Sequence, residues 1–290
     1  MKRVFGLFLL LFLVAIAQLS QPTVARMETV SATQSKDFKK TVAVDNGADF
    51  RLETDKGSVR LTAWDSNQVE ISARIDPPEN ESTDYQTRAV EAVRIEVLGG
   101  GGSLTVRSNF EDVPYKNQAL GRLSRSRNLP DVHYEIRAPR NLNIHIELDR
   151  SNLSIEGFKG RVNLEADRTP VTARDIEGDF RLNVDRGTAN LANLKGSIKL
   201  DADRTDGEIL AAQINGDSTI DIDRGEIDLR LSESQGLSVK TEFSKRTRFN
   251  SDFPIATTTL DRASFEGTIN GGGPRLLIRS DRGTIKLKRQ

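Results

Sequence analysis

From Asn143 onward, apolar and polar residues alternate ahead of a recurring Asp-Arg pair. The pair stands at 149–150, 167–168, 185–186, 203–204 and 223–224, at intervals of 18, 18, 18 and 20 residues. One position before each Asp lie Leu148, Ala166, Val184, Ala202 and Ile222, and three before lie Ile146, Leu164, Leu182, Leu200 and Ile220. Five before lie Ile144, Val162, Phe180, Ile198 and, breaking the rule, Ser218. The positions between them are polar. Period two with one apolar face predicts a half-buried strand, and the three-and-four spacing of a helix is missing. A second short alternating run follows each pair, as in Leu153/Ile155, Val171/Ala173, Ala189/Leu191 and Ile227/Leu229.

Each unit also closes on a glycine: Gly160, Gly178, Gly196, Gly216 and Gly236. The unit is therefore strand, tight turn, strand, loop. Asp suits such a turn by bonding its own backbone two residues on, and Gly187 and Gly225 are expected to supply positive φ. Units of this length are too short for a four-stranded propeller blade. They fit one coil of a parallel β-solenoid, each coil bonding to the next about 4.8 Å away. An antiparallel meander fits less well, because reversal would not stack the same turn in register. The expected fold is all-β, a single-stranded parallel β-helix within residues 40–290, most regular over residues 143–236.

Both ends repeat the theme less strictly. Phe50, Leu52 and Thr54 lead into Asp55-Lys56-Gly57-Ser58, then Val59, Leu61 and Ala63. Leu276, Ile278 and Ser280 lead into Asp281-Arg282-Gly283-Thr284, then Ile285 and Leu287. Residues 76–130 are expected to form an irregular insertion: a short helix within Tyr85–Val93, a hairpin tipped by Gly99–Gly102, and a polar loop from Phe110 to Pro130. Residues 237–275 carry a degenerate coil and the Gly271-Gly272-Gly273-Pro274 run.

The first 25 residues predict an export signal. Lys2 and Arg3 precede an apolar run from Val4 to Ala17, and Thr23-Val24-Ala25 supplies small residues for cleavage after Ala25. The apolar run is shorter than the ~20 residues of a spanning helix, so no membrane span is expected after cleavage. Residues 26–39 are expected to be a flexible segment. Cleavage would remove two of the 42 basic residues against 42 acidic ones, leaving a net charge of −2. That balance argues against nucleic acid as a partner. Having no cysteine, the chain holds no disulfide, zinc ribbon or thiol nucleophile, and two histidines, His133 and His145, leave little for imidazole chemistry. With 6% aromatic residues and one tryptophan, Trp64, a stacking platform for sugars or bases is not expected.

A glycine-punctuated array of short strands behind an export signal, closing on Gly271-Gly272-Gly273-Pro274 and then Ile278-Arg279-Ser280-Asp281-Arg282-Gly283-Thr284-Ile285, resembles the bacterial putative-adhesin domains of unknown function. Their recurring unit, strand, Ser/Asp-x-Gly-Asp/Thr-Ile/Val, strand, is similar to Asp185-Arg186-Gly187-Thr188 and Asp223-Arg224-Gly225-Glu226. The resemblance covers roughly residues 40–290. It implies a right-handed single-stranded β-helix of an envelope or exported protein, and it brings no catalytic residues.

Stacking would turn the five Asp into one outward column and Arg150, Arg168, Arg186, Arg204 and Arg224 into the next. Glu147, Glu165, Asn183, Asp201 and Asp221 would form a third. Like charges ~4.8 Å apart repel by about 1 kcal/mol in water, so the Asp and Arg columns are expected to neutralise each other across coils. The Arg column is also the candidate binding site for a polyanion. Asp201, Asp203, Asp221 and Asp223 offer oxygen ligands, but no EF-hand or calcium nonapeptide accompanies them, so no metal or other cofactor is expected. Arg122–Arg127 is a basic patch in the polar loop.

The expected function is a non-enzymatic bacterial envelope protein, periplasmic, cell-surface or secreted, with no catalytic residues. Its expected partners are a cell-surface or acidic polysaccharide, or an envelope protein. A lyase-like polysaccharide enzyme is the alternative, though an active site would interrupt the ladder rather than repeat in every coil.

Overall fold

The computed structural model describes residues 35–114, 128–261 and 264–290. The export signal, the Arg122–Arg127 patch and most of the expected polar loop lie outside them. Among the described residues there are eighteen strands and one helix: β1 (Lys36–Thr54), β2 (Gly57–Trp64), β3 (Gln68–Asp76), α1 (Thr83–Ala92), β4 (Arg94–Asn109), β5 (Asp131–Pro139), β6 (Asn143–Asp149), β7 (Ser151–Glu156), β8 (Val162–Asp167), β9 (Val171–Arg174), β10 (Glu177–Asp185), β11 (Thr188–Asp203), β12 (Asp206–Ile214), β13 (Ser218–Leu231), β14 (Leu237–Phe243), β15 (Arg248–Ser251), β16 (Ala256–Leu260), β17 (Phe265–Ile269) and β18 (Arg275–Arg289).

The alternation read from the sequence becomes burial. All fifteen side chains one, three and five positions before the Asp residues are buried, including Ser218. Ser218 is tolerated inside because its hydroxyl is fully used: it accepts from the Ile198 amide (3.0 Å) and donates to the Gly216 carbonyl (2.9 Å). The strands that carry these residues pair in parallel and without slip. Asp149 lies opposite Asp167, Asp167 opposite Asp185, and Asp185 opposite Asp203. The second run of each coil forms its own parallel ladder, from β2 through β7, β9, β11 and β12 to β13 and β18.

The sheet as a whole is mixed, which corrects the expectation of a purely parallel helix. β3 pairs antiparallel with both β1 and β5, and β17 pairs antiparallel with β14 and β16. Chain order and ladder order also part company at both ends. Asp49–Glu53 of β1 sits between β4 and β6, and β18 sits between β13 and the strands β14 and β15. The first and last strands thus have neighbours on both sides instead of exposing edges, where backbone groups would be left unpaired.

Residues 36–39, expected to be flexible, pair with Ser72–Ile75. Within 76–130, α1 is capped by the Ser82 hydroxyl accepting from the Tyr85 amide (3.3 Å) and buries Tyr85, Ala89 and Val90. In β4 the glycines Gly99, Gly100 and Gly101 all have positive φ. The chain reverses there, since Glu96 accepts from Arg107 (2.6 Å) and Asn109 (2.7 Å), contacts that an extended strand would hold more than 30 Å apart.

At the coil corners the backbone departs from the sequence expectation. Positive φ at the Asp-Arg corner is carried by Arg150, Arg168, Arg186 and Arg204, at +46° to +56°, and not by Asp or by Gly187. Gly225 does carry it, at +136°, in the coil with two extra residues. A second corner one half-turn later uses Gly157, Asp175 and Asn193, all at positive φ and each followed by a buried apolar residue, Phe158, Ile176 and Leu194. Gly, Asp and Asn are the residues that enter this region most cheaply.

Candidate functional site

The Asp-Arg corner builds a continuous ionic lattice. The backbone ladder runs through the turn: the amides of Arg150, Arg168 and Arg186 donate to the carbonyls of Asp167, Asp185 and Asp203 in the next coil (3.0, 2.8 and 3.0 Å). Thr169 and Thr205 hydroxyls donate to the carbonyls of Asp167 and Asp203 two residues back (2.8 and 2.9 Å), which explains hydroxyl residues after the pair. With φ positive, the side chains of Arg168, Arg186 and Arg204 turn toward the preceding coil. Arg168 reaches Asp149 at 2.7 Å and its own Asp167 at 3.0 Å. Arg186 spans Asp167 (2.8 Å) and Asp185 (3.1 Å), and Arg204 spans Asp185 (2.5 Å) and Asp203 (3.0 Å). Arg224 spans Asp203 and Asp223, both at 3.3 Å, while Arg150 meets Asp149 at 3.1 Å. The hydrogen bond from Arg186 holds the Asp167 carboxyl below the usual carboxylate range.

All five sequence-predicted arginines are thus brought together, and all five are engaged by carboxylates. The side chains are nearly half exposed, so each single pair contributes little. Their value is collective, because Arg168, Arg186, Arg204 and Arg224 each tie two coils together at the same corner.

Beside the lattice runs a shallow groove of about 580 Å³. Its lining includes Asp149, Asp167, Asp185 and Asp203 from the lattice and Glu147, Glu165, Asn183 and Asp201 from the adjacent column, with no cation among them. Some of these carboxylates are compensated. The Glu147 carboxyl accepts from His145 (2.6 Å), which lowers its pKa, and also pairs with Arg51. Asp55, also on the groove, is pushed up by burial and Asp149, and Asp221, in the next position of the acidic column, is pushed up by burial and Asp201 against the pull of Arg279. Among the described residues, no group of three or more histidine, aspartate or glutamate side chains converges in a way that could hold a metal ion. His133 and His145 serve as hydrogen-bond partners on strand faces, to Ser58 (2.8 Å) and to Glu147 and Asn163.

A family profile described as Toastrack DUF4097 matches residues 25–288. The chain belongs to that family. Solved structures similar to it include a putative cell adhesion protein from Clostridium sporogenes (12% identity, 89% of this chain and 100% of that one, TM-score 0.36). A putative adhesin from Bacteroides fragilis is similar at 12% identity over 89% of this chain and 99% of that one (TM-score 0.41). A putative lipid binding protein from Parabacteroides distasonis is similar at 10% identity over 86% and 96% (TM-score 0.27). No curated protein matches the chain.

In this Toastrack chain, residue reasoning missed a second set of outward cations. Arg161, Arg181 and Lys199 stand four and six positions before the Asp residues, on coils where the pattern gives only "polar". Their lateral adjacency follows from the register, in which Arg181 lies between Asn163 and Lys199. The eighteen-residue spacing between 181 and 199 was the available signal. It went unused because neighbouring coils carry His145, Asn163 and Thr219 at that position.

Proposed function

We propose that the chain is a non-enzymatic, exported envelope protein whose stacked coils, a single-stranded β-helix array with antiparallel strands at its two ends, present a binding surface to an envelope polymer or protein. One observation carries this reading. The outward face repeats identical side chains in lateral register over successive coils, Asp149, Asp167, Asp185 and Asp203 with their arginines, and the cross-coil ion pairs fix that face. A surface that repeats at strand spacing presents equivalent groups to a ligand that itself repeats, and its order is set before binding, which limits the entropic cost of association. Export is supported by the charged, apolar and small-residue segments of residues 1–25.

The test uses the full-length chain made in a bacterial host. Periplasmic or extracellular recovery with an N-terminus at residue 26 is expected, and cytoplasmic retention of an intact N-terminus would overturn export. Purified protein incubated with envelope fractions is expected to be retained without releasing sugar ends. Release of reducing or unsaturated ends would overturn the non-enzymatic reading, and failure to be retained by any envelope fraction would overturn the binding role.

A further inference from the structure

The ladder arginines are committed to carboxylates, but the same face carries cations that are not. A cavity of about 380 Å³ opens on the outer side of the first ladder, lined by Arg161, Asn163, Asp179, Arg181, Ser197 and Lys199. Register makes Arg181 and Lys199 direct lateral neighbours on β10 and β11, with Asn163 on the other side of Arg181. Every ladder arginine has a carboxylate oxygen within 3.3 Å. Arg161, Arg181 and Lys199 have none within 4.0 Å among the described residues. Like charges set opposite one another on adjacent strands destabilise a sheet, so leaving this pair without a carboxylate costs stability.

The carboxylates nearby are held by other donors. Asp179 accepts from the Ser197 hydroxyl (2.6 Å), and Asp217, also on the cavity wall, accepts from the Arg275 amide (3.2 Å). A third observation concerns Asn163. Its amide nitrogen meets His145 at 2.8 Å, while its Oδ1 is shielded from solvent with no hydrogen-bond partner. Unmet acceptors of this kind are rare and cost free energy unless a partner arrives. The cavity therefore combines unneutralised donors for an anion with acceptors suited to hydroxyl groups. A bare phosphate or sulfate would use the cations and meet the Asp179 carboxylate unfavourably. A uronic-acid unit offers both a carboxylate and hydroxyls.

We propose that this cavity binds the carboxylate-bearing units of an acidic polysaccharide, with Arg181 and Lys199 on the carboxylate, Arg161 adding charge, and Asp179 accepting from a sugar hydroxyl. The inference rests on the binding-surface reading above and relocates the anion site from the Arg150–Arg224 column to these three cations.

The experiment titrates the full chain with a defined polygalacturonate oligomer, its neutral methyl ester, and inorganic phosphate, each at low and high salt. Binding of the polyuronate, weakened by salt, with little binding of ester or phosphate, is expected. Arg181→Gln with Lys199→Gln should reduce polyuronate affinity by about tenfold or more, since charge-assisted pairs to a carboxylate are lost, without lowering the thermal midpoint. Arg168→Gln with Arg186→Gln should lower the midpoint and reduce polyuronate affinity less than the Arg181/Lys199 change does. Unchanged affinity in the Arg181/Lys199 variant, or loss only in the Arg168/Arg186 variant, would overturn the site. Phosphate binding as tight as polyuronate would overturn the glycan assignment. Retention on envelope fractions with no polyuronate binding would overturn this inference while leaving the binding role in place.

Discussion

Replacing single glycines separates what the repeat suggests from what the coils require. By spacing, Gly160, Gly178, Gly196 and Gly216 are equivalent. In the structure they are not. A Cβ at Gly178 would lie 2.1 Å from the Gly160 carbonyl oxygen, and φ there is +134°. At Gly216 the nearest atom would be the Ser197 Cβ at 3.3 Å, and φ is not in the left-handed range. Gly47, at φ +79° with nothing within 4 Å, isolates the conformational term. For Gly178→Ala the backbone strain costs about 1–3 kcal/mol. Moving the coils apart to admit the methyl group weakens flanking bonds such as Glu177 amide to Phe158 carbonyl and Gly160 amide to Glu177 carbonyl, both 2.9 Å. At ~1 kcal/mol for each, the total is about 3–5 kcal/mol, or roughly 6–20 °C in Tm at the 2–4 °C per kcal/mol typical of this size. Gly47→Ala should cost ~1–2 kcal/mol and Gly216→Ala well under 1 kcal/mol. Urea and thermal unfolding of the three variants give the order directly. Equal losses at Gly178 and Gly216 would refute the argument that coil contact, rather than the repeat itself, demands glycine.

Leu182 is fully buried in the middle of the array and Asn190 is exposed. Truncating such a Leu costs ~2–5 kcal/mol, so Leu182→Asp should depress the unfolding midpoint far more than Asn190→Asp, and equal effects would place the strand parity in error. The triple change Arg168→Gln, Arg186→Gln and Arg204→Gln should lower the thermal midpoint, because Asp149, Asp167 and Asp185 lose the cations that reach them from the next coil; an unchanged midpoint would leave the lattice without a structural role. Acid titration should show two opposing effects. Asp55 and Asp221, raised by burial, bind protons more readily folded than unfolded, so their contribution to stability rises as pH falls toward their folded values. Asp167 and Glu177, lowered by their hydrogen bonds to Arg186 and Lys159, contribute stability that is present above the unfolded carboxylate range near pH 4 and is lost as pH falls through their folded values. Stability should therefore be flat or slightly rising down to about pH 4–5 and fall below it, and a monotonic loss beginning near pH 6 would contradict these assignments.

The coils were legible in the sequence because strand parity is a local property. Side chains of period two either face the core or do not, and all fifteen inward positions around the Asp-Arg pairs could be named from spacing alone. The glycine tip in β4 and the helix at α1 were legible for the same reason. The insertion of β1 between β4 and β6, and of β18 between β13 and β14, was not. Those neighbours lie many tens of residues apart in sequence, and nothing in the alternation of Phe50, Leu52 and Thr54 says which strand will lie on either side. The antiparallel strands β3 and β17 escaped for a related reason: a half-buried strand reads alike in either direction.

The ladder arginines and the strand cations differ for a separate physical reason. A repeated Arg is conspicuous, but whether a guanidinium is available to a ligand depends on what already stands within ~4 Å of it, and that is set by the coil corner. A left-handed Arg168 or Arg186 sends its side chain back over the preceding Asp, so the most regular cations on the surface are the ones already neutralised. Arg181 and Lys199 lie in the strand, where extended backbone projects them straight outward. Their nearest acidic neighbours on the same face are two residues along the strand, about 6.8 Å away, and in the Arg181 coil one of those positions is Asn183 rather than an acid. In this chain the repeated Asp-Arg pairs therefore hold coils together, and the cations without a carboxylate stand where the repeat is interrupted.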